Sequence, residues 1–229
     1  MREQPERWHE GAAFLQEKPV RLHAYFRSST SYRVRIGLNL KGLDYEVVPV
    51  NILTGEQRKD AYRGKNPYAG VPALEVEGRV YAQSMPILEW LDERYPEPAF
   101  LPGDADARFA VRELAYAIAT ELHGPLNSPV LKYLESEFGQ DKDGVRRWYH
   151  HWLAKTLGGV EARLAERGVG DFLGEAPGLF ECVLIPQLYN ARRFGFELSA
   201  MPWMHRIESA CLELPAFIRA HPDNQPDAT

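Results

Sequence analysis

One ten-residue stretch, YPEPAFLPGD from Tyr95 to Asp104, divides this chain, because three prolines and a glycine there continue neither a helix nor a strand. The patterns on its two sides differ. Upstream, RLHAYF (Arg21 to Phe26) and DYEVVPVNI (Asp44 to Ile52) alternate apolar and polar residues as strands do. VPALEVEG and RVYAQ are two further extended segments with Glu77-Gly78 between them, the chemistry of a tight antiparallel turn. Three or four strands therefore fit before residue 85. Downstream, strand signals cease and apolar residues recur at helical spacing through Phe109 to Leu134, Val145 to Leu164 and Phe180 to Phe194. Glycine and proline interrupt them at Gly124-Pro125, Gly168, Gly170 and Ala176-Pro177-Gly178. The expected organisation is an α/β unit over 19–99, an all-helical unit over 104–229, and an N-terminal arm over 1–18 whose apolar residues keep no period.

Between the first two strands, SYRVRIGLNLKG is ambiguous. Tyr32, Val34, Ile36, Leu38 and Leu40 alternate, yet 34/38 and 36/40 are also helical pairs, so the pattern alone leaves strand and helix open. The cluster Ser28-Ser29-Thr30-Ser31 and the stop at Lys41-Gly42 favour a helix, giving a strand-helix-strand start. A second helix is expected after the fourth strand, capped by Ser84, tolerating Pro86 in its first turn and ended by Pro96. Its buried face would be Ile87, Leu88, Leu91 and Tyr95.

With 45% hydrophobic and 11% aromatic residues, the chain has material for a packed core. Its net charge of −5 and the lack of a basic stripe argue against a nucleic-acid partner. No run approaches the roughly 18 apolar residues of a membrane span, and the charged N-terminus lacks a secretory h-region, so a cytoplasmic protein is expected. Cys182 and Cys211, 29 positions apart, have no partners at metal-ligand spacing and read as small buried hydrophobes. No metal site is expected, and His150-His151, adjacent on a helix, point in different directions. Trp148 and Trp152 suit packing.

The cluster Ser28, Ser29, Thr30 stands where a strand passes into a helix, and two readings remain. Its hydroxyls can simply cap the helix. Alternatively, one of them donates to a bound thiolate, whose charge the unsatisfied amides of a helix start also favour.

FRSSTSYRVRIGLNLKG (Phe26 to Gly42), NPYAGVPALEVEGRVYAQSMPILEWLDERYP (Asn66 to Pro96), IPQLYNARRF (Ile185 to Phe194) and the closing QPD (Gln225 to Asp227) together resemble the zeta class of glutathione transferases, which includes maleylacetoacetate and maleylpyruvate isomerases. The resemblance runs over about residues 20–228. It implies a thioredoxin-like N-terminal domain that holds glutathione and an all-α C-terminal domain that holds the second substrate, usually in a homodimer. It further implies that Ser28, Ser29 and Thr30 serve the thiolate, and that Val71, before a cis Pro72, pairs its backbone with the cysteinyl part. By the same likeness Gln83 and Ser84 grip the γ-glutamyl group, Gln57 lies towards the glycyl end, and His123 and Asn127 face glutathione. The small-molecule substrate would be a dicarboxylate met by Arg27 and Arg193, with Arg192 the surface member of its pair.

Three positions depart from the class. Thr30 stands where cysteine is common, so glutathione would supply the only nucleophilic sulfur; Thr30→Val is expected to lower turnover more than binding. Gly178 replaces the usual serine or threonine cap of GLFE, which should only slightly weaken a helix. Pro129 stands where many members have an arginine. The reaction implied is glutathione-dependent cis-trans isomerisation of an oxo enoic diacid such as maleylacetoacetate. Maleylpyruvate isomerisation, transfer or dehalogenation of small α-halo acids, and a non-enzymatic scaffold are the alternatives.

Overall fold

In β1 (Arg21–Ala24) only Arg21 is exposed, because this strand is flanked on both sides. β2 (Glu46–Pro49) pairs with it in parallel, and β3 (Ala73–Val76) pairs with it antiparallel. β4 (Arg79–Ala82) forms the far edge, for the order β2-β1-β3-β4. Glu77 and Gly78 turn β3 into β4 with φ of 51° and 81°, the left-handed pair that a two-residue hairpin turn requires.

The ambiguous segment is a helix, α1 (Ser29–Leu40), capped by Ser28 Oγ accepting from Ser31 N at 3.2 Å. Lys41 ends it and Gly42 follows with φ of 65°. Its alternation has a physical cause. Val34, Ile36 and Leu38 are fully buried, and so are Arg33 (1% exposed) and Arg35 (0%) between them. A helix enclosed all round has no solvent face to impose a 3.6-residue period.

Two short elements were not anticipated, a 3-10 turn Glu56–Arg58 and α2 (Asp60–Arg63). α3 (Ser84–Arg94) buries Ile87, Leu88 and Leu91 and packs on α1. Ser84 is its first helical residue, and Gln83, not Ser84, occupies the cap position. Val71-Pro72 and Glu97-Pro98 are cis.

The computed structural model describes residues 19–229, so the arm expected over 1–18 lies outside the described residues. Two units emerge among the described residues, the segment through Pro98 together with Arg219–Thr229, and Ala99–Ile218. The expectation that the helical unit reaches residue 229 is thereby corrected. Arg35 Nε donates to Ala220 O at 2.9 Å and the Phe26 amide donates to Asp227 Oδ2 at 3.0 Å, tying the tail to α1 and the end of β1. Gln225 Nε2 holds the tail in shape by donating to the carbonyls of Arg219 and His221.

The second unit contains α4 (Ala105–Tyr116), a π-helical segment (Ala117–Leu122), α5 (His123–Leu126), α6 (Ser128–Ser136), α7 (Lys142–Arg167), α8 (Leu179–Arg193) and α9 (Pro202–Leu212). A final helix, α10 (Pro215–Ala220), leads into the tail. Asp104 caps α4 and Asp141 caps α7. α8 is the core element, buried from Leu179 through Leu188. Cys182 on it and Cys211 on α9 are buried and unbridged, and burial pushes the Cys211 thiol up. No helix among the described residues is long and apolar enough to cross a membrane.

Gly178, at the start of α8, is more than a weak cap. A Cβ there would lie 2.6 Å from Phe100 O and 3.2 Å from Phe100 C, so only glycine admits that backbone, whose carbonyl accepts from Leu179 N. The capping work falls to Glu181, fully buried, which accepts from the amides of Gly178 and Leu173, both at 2.8 Å.

Candidate functional site

The turn from β1 into α1 places two hydroxyls side by side. Ser28 Oγ lies 2.9 Å from Thr30 Oγ1, and Thr30 Oγ1 donates to Val71 O at 2.8 Å. A carbonyl only accepts, so the single Thr30 proton goes to Val71, and Ser28 is the donor in the contact between the two hydroxyls. Ser29, buried, and Thr30 are the first two helical residues, whose amides precede the α-helical ladder and point at the same turn. Partial positive charge therefore collects where these hydroxyls meet.

The loop carrying Val71 is held from behind. Tyr62 Oη and Asn66 Nδ2 both donate to Gly70 O, at 2.6 and 2.8 Å, and burial raises the Tyr62 phenol to about 12. The turn itself is fixed by groups that sequence reasoning missed. Asp227 holds the Phe26 amide while Arg35 Nη2 donates to the Phe26 carbonyl at 2.9 Å, so both polar groups of that residue are taken. Arg27, next in the chain, lies over the Phe26 ring at 4.8 Å and donates to Tyr25 Oη at 3.1 Å. It has no carboxylate partner among the described residues.

A second helix start belongs to the same unit. Ser84 is 5% exposed and its Oγ accepts from Arg33 Nη1 at 3.4 Å. Gln83 before it is exposed, with φ of 73° and ψ of 121°, a conformation that costs a non-glycine residue on the order of 1–3 kcal/mol and is characteristic of ligand-holding positions. Ser28, Thr30, Val71 and Ser84 are thus joined within one unit, directly or through α1. Gln57 stands apart in its 3-10 turn, buried, with Nε2 donating weakly to Ile52 O at 3.4 Å and Oε1 lacking a partner. Buried polar atoms left unpaired at Gln57 and Arg33, two helix starts and a peptide carbonyl at Val71 suit a ligand that is anionic and peptide-like.

The remaining candidates lie in the second unit. His123 opens α5 directly after the π-helical segment, and Asn127 precedes α6, its carbonyl accepting from Val130 and Leu131. Pro129 sits in the first turn of α6, where its missing amide proton costs nothing. Arg193 ends α8, exposed, with Nη1 3.3 Å from Asn190 Oδ1. The Tyr149 ring stacked on Phe194 at 3.8 Å, and His150 hydrogen-bonded to Phe194 O at 2.8 Å, fasten that helix end to α7. Arg193 lines an open cleft of about 610 Å³ with Lys142, Arg146, His150 and Glu135, a predominantly cationic wall. Arg192 is no idle surface charge, because it forms a two-pronged pair with the buried Glu208. Trp148 donates to Pro125 O at 2.9 Å and so serves packing.

Comparison with known proteins places these features in a lineage. Residues 22–99 match the family described as glutathione S-transferase, N-terminal domain. Maleylacetoacetate isomerase of Pseudomonas aeruginosa is 44% identical over 211 residues, 91% of this chain and 98% of that protein. The holo structure of a maleylpyruvate isomerase, a bacterial glutathione transferase of the zeta class, superposes with a TM-score of 0.89 at 42% identity, covering 91% of this chain and 100% of that one. Maleylacetoacetate isomerase from Anaeromyxobacter dehalogenans, solved with glutathione bound in its active site, gives 0.83 at 44% identity over 92% and 98%. The N-terminal sheet is accordingly thioredoxin-like, the C-terminal unit is the helical domain of the same architecture, and the chain belongs to the zeta class of the glutathione transferase family.

Proposed function

We propose that this protein is a glutathione-dependent cis-trans isomerase of maleylacetoacetate-type oxo enoic diacids, with glutathione returned unconsumed. The observation that carries the reading is the hydrogen-bonded chain Ser28–Thr30–Val71 at the first turn of α1. When bound, glutathione supplies a thiol that adds reversibly to a double bond conjugated with a carbonyl and so permits rotation about it. The protein's part is to keep that sulfur ionised and oriented. The Ser28 hydroxyl and the amides of Ser29 and Thr30 stabilise negative charge. The Val71 backbone pairs with the cysteinyl peptide, Gln83 and Ser84 receive the γ-glutamyl group, and Gln57 receives the glycyl end. From the second unit, His123 and Asn127 are assigned to glutathione.

Arg27 and Arg193 are assigned to the substrate's carboxylates, for which a planar guanidinium is the matched donor. Thiolate stabilisation and positioning together supply on the order of several kcal/mol. The protein is proposed to act in the cytoplasm as a homodimer.

The test is maleylacetone turnover with glutathione in substoichiometric amount, followed by loss of the cis-enone absorbance, with free thiol titrated at the end. Many turnovers with all thiol recovered support the isomerase. Binding of glutathione by calorimetry without turnover redirects the assignment to transfer or dehalogenation of α-halo acids, and failure to bind redirects it to a scaffold.

A further inference from the structure

Two arginines, Arg33 and Arg35, lie two positions apart on α1 and are equally buried, at 1% and 0% exposure, yet they are used differently. Arg35 has backbone acceptors in Phe26 O and Ala220 O, and its role in holding the tail accounts for its burial. Arg33 has no comparable employment. Its one hydrogen bond is the long contact from Nη1 to Ser84 Oγ, while Nε and Nη2 are buried without an acceptor, and it enters no ion pair among the described residues. Desolvation lowers its pKa only to about 10, so it keeps its charge at neutral pH.

An uncompensated guanidinium is retained in a core only at a cost to stability, and nothing among the described residues of this unit offsets it. Its field, unscreened by water, emerges at the start of α3, where Ser84 lies directly above it. A hydroxyl that accepts from a cation below turns its own proton outward and becomes a stronger donor to whatever sits above.

We infer that Arg33 is the buried countercharge for the α-carboxylate of the γ-glutamyl group, acting through the Ser84 hydroxyl, and is therefore a specificity-determining positioning residue for the peptide thiol. The inference rests on the glutathione reading above and assigns that site's selectivity for an anion to a residue that need not touch the ligand.

The experiment compares two ligands by calorimetry, S-methylglutathione and the analogue in which the γ-glutamyl residue is replaced by γ-aminobutyryl, which lacks only the α-carboxylate. The proteins are the wild type, Arg33→Met and Arg33→Lys. The wild type should prefer S-methylglutathione, and Arg33→Met should weaken it by roughly 10- to 100-fold, the range for a hydrogen bond to a charged group. The analogue's affinity should change by less than about threefold, and Arg33→Lys should restore part of the loss. Equal losses for both ligands in Arg33→Met would mean a purely structural role and overturn the inference while leaving the glutathione reading intact. No binding of S-methylglutathione by the wild type would overturn both.

A measurement on the wild type alone guards against a variant that does not fold. The Arg33 Nε–H resonance, slow to exchange because it is buried, should shift on adding S-methylglutathione and stay in place with the analogue. Identical responses to the two ligands would refute the assignment.

Discussion

Replacing Ser28 by alanine separates the two hydroxyls of the α1 turn. Ser28 Oγ accepts from the Ser31 amide and, because the Thr30 proton is committed to Val71 O, donates its own proton to Thr30. Turning the Ser28 proton towards a bound sulfur costs Thr30 only an incoming donor, whereas turning the Thr30 proton strips the Val71 carbonyl of its partner. Ser28 is therefore the hydroxyl expected to serve the thiolate. A hydrogen bond to a charged acceptor contributes about 1.5–3 kcal/mol, so Ser28→Ala should raise the pKa of the bound thiol by roughly 1–2 units. Loss of the cap should lower stability by about 0.5–2 kcal/mol, which a thermal melt reads independently.

Thr30→Val should behave otherwise. It leaves the Ser28 proton wholly available to the sulfur, so the thiol pKa should move by less than about half a unit, within 0.7 kcal/mol. It also strips Val71 O, so affinity for S-methylglutathione, whose sulfur cannot ionise, should fall. The expectation from residue type alone, that Thr30→Val damages turnover more than binding, is reversed by this hydrogen bond. The assay is the ultraviolet absorbance of the thiolate in the saturated complex against pH, with calorimetry of S-methylglutathione alongside. A raised thiol pKa means less thiolate at neutral pH, so Ser28→Ala should lose roughly 10- to 100-fold in turnover there and recover as pH rises. A Thr30→Val thiol pKa raised as much as that of Ser28→Ala, or a Ser28→Ala complex titrating like the wild type, would refute the proton assignment.

Other perturbations have equally definite signs. Gly178→Ser should destabilise the protein by about 1–3 kcal/mol, because displacing the Phe100 backbone outweighs the few tenths a serine cap gains; a raised melting temperature would contradict this. Gln83→Gly should relieve the left-handed strain and raise stability by about 1 kcal/mol or more while weakening glutathione binding, so improved stability with undiminished affinity would detach Gln83 from the site. Hydrogen bonds from Lys65 and His23 hold the Glu75 carboxyl at about 2. A depressed carboxylate stabilises the fold above its unfolded value of about 4.3 and loses that contribution as pH falls towards 2, so Glu75→Gln should flatten the acid limb of urea-unfolding midpoints in that window. Arg193→Ala should raise KM for a dicarboxylate by roughly tenfold or more with calorimetric glutathione affinity unchanged; a shift in glutathione affinity instead would remove it from the substrate's side.

The strands, the Glu77-Gly78 turn and the loss of strand character after Asp104 were legible because each rests on local chemistry, alternation or turn residues that act over a few positions. What stayed hidden depends on contacts between residues far apart in sequence. Arg33 and Arg35 occupy the polar positions of an alternating run and so read as a solvent face, although both are enclosed. Arg192 reads as the surface member of its pair until Glu208, 16 residues on, engages it. Gly178 looks like a poor cap because nothing near it in sequence announces the Phe100 backbone. The tail over 219–229 simply follows the bundle in sequence, and its bonds to Arg35 and Phe26 are what tie it to the first unit.

These hidden contacts explain why the motif around α1 contains what it does. Its serines and threonine could cap any helix, and its apolar residues could fill any core. Two buried guanidinium groups are different, since each needs acceptors that a thioredoxin-like sheet does not itself supply. The closing segment supplies Ala220 O to Arg35, and Asp227 takes the Phe26 amide whose carbonyl Arg35 already holds. The turn that aims Ser28 is thus clamped by residues nearly two hundred positions away. Arg33, lacking such a partner among the described residues, is the charge on α1 left to act on something bound at the helix starts. Conformational specificity and ligand specificity are in this way divided between two arginines two positions apart in the motif, with Val34 between them.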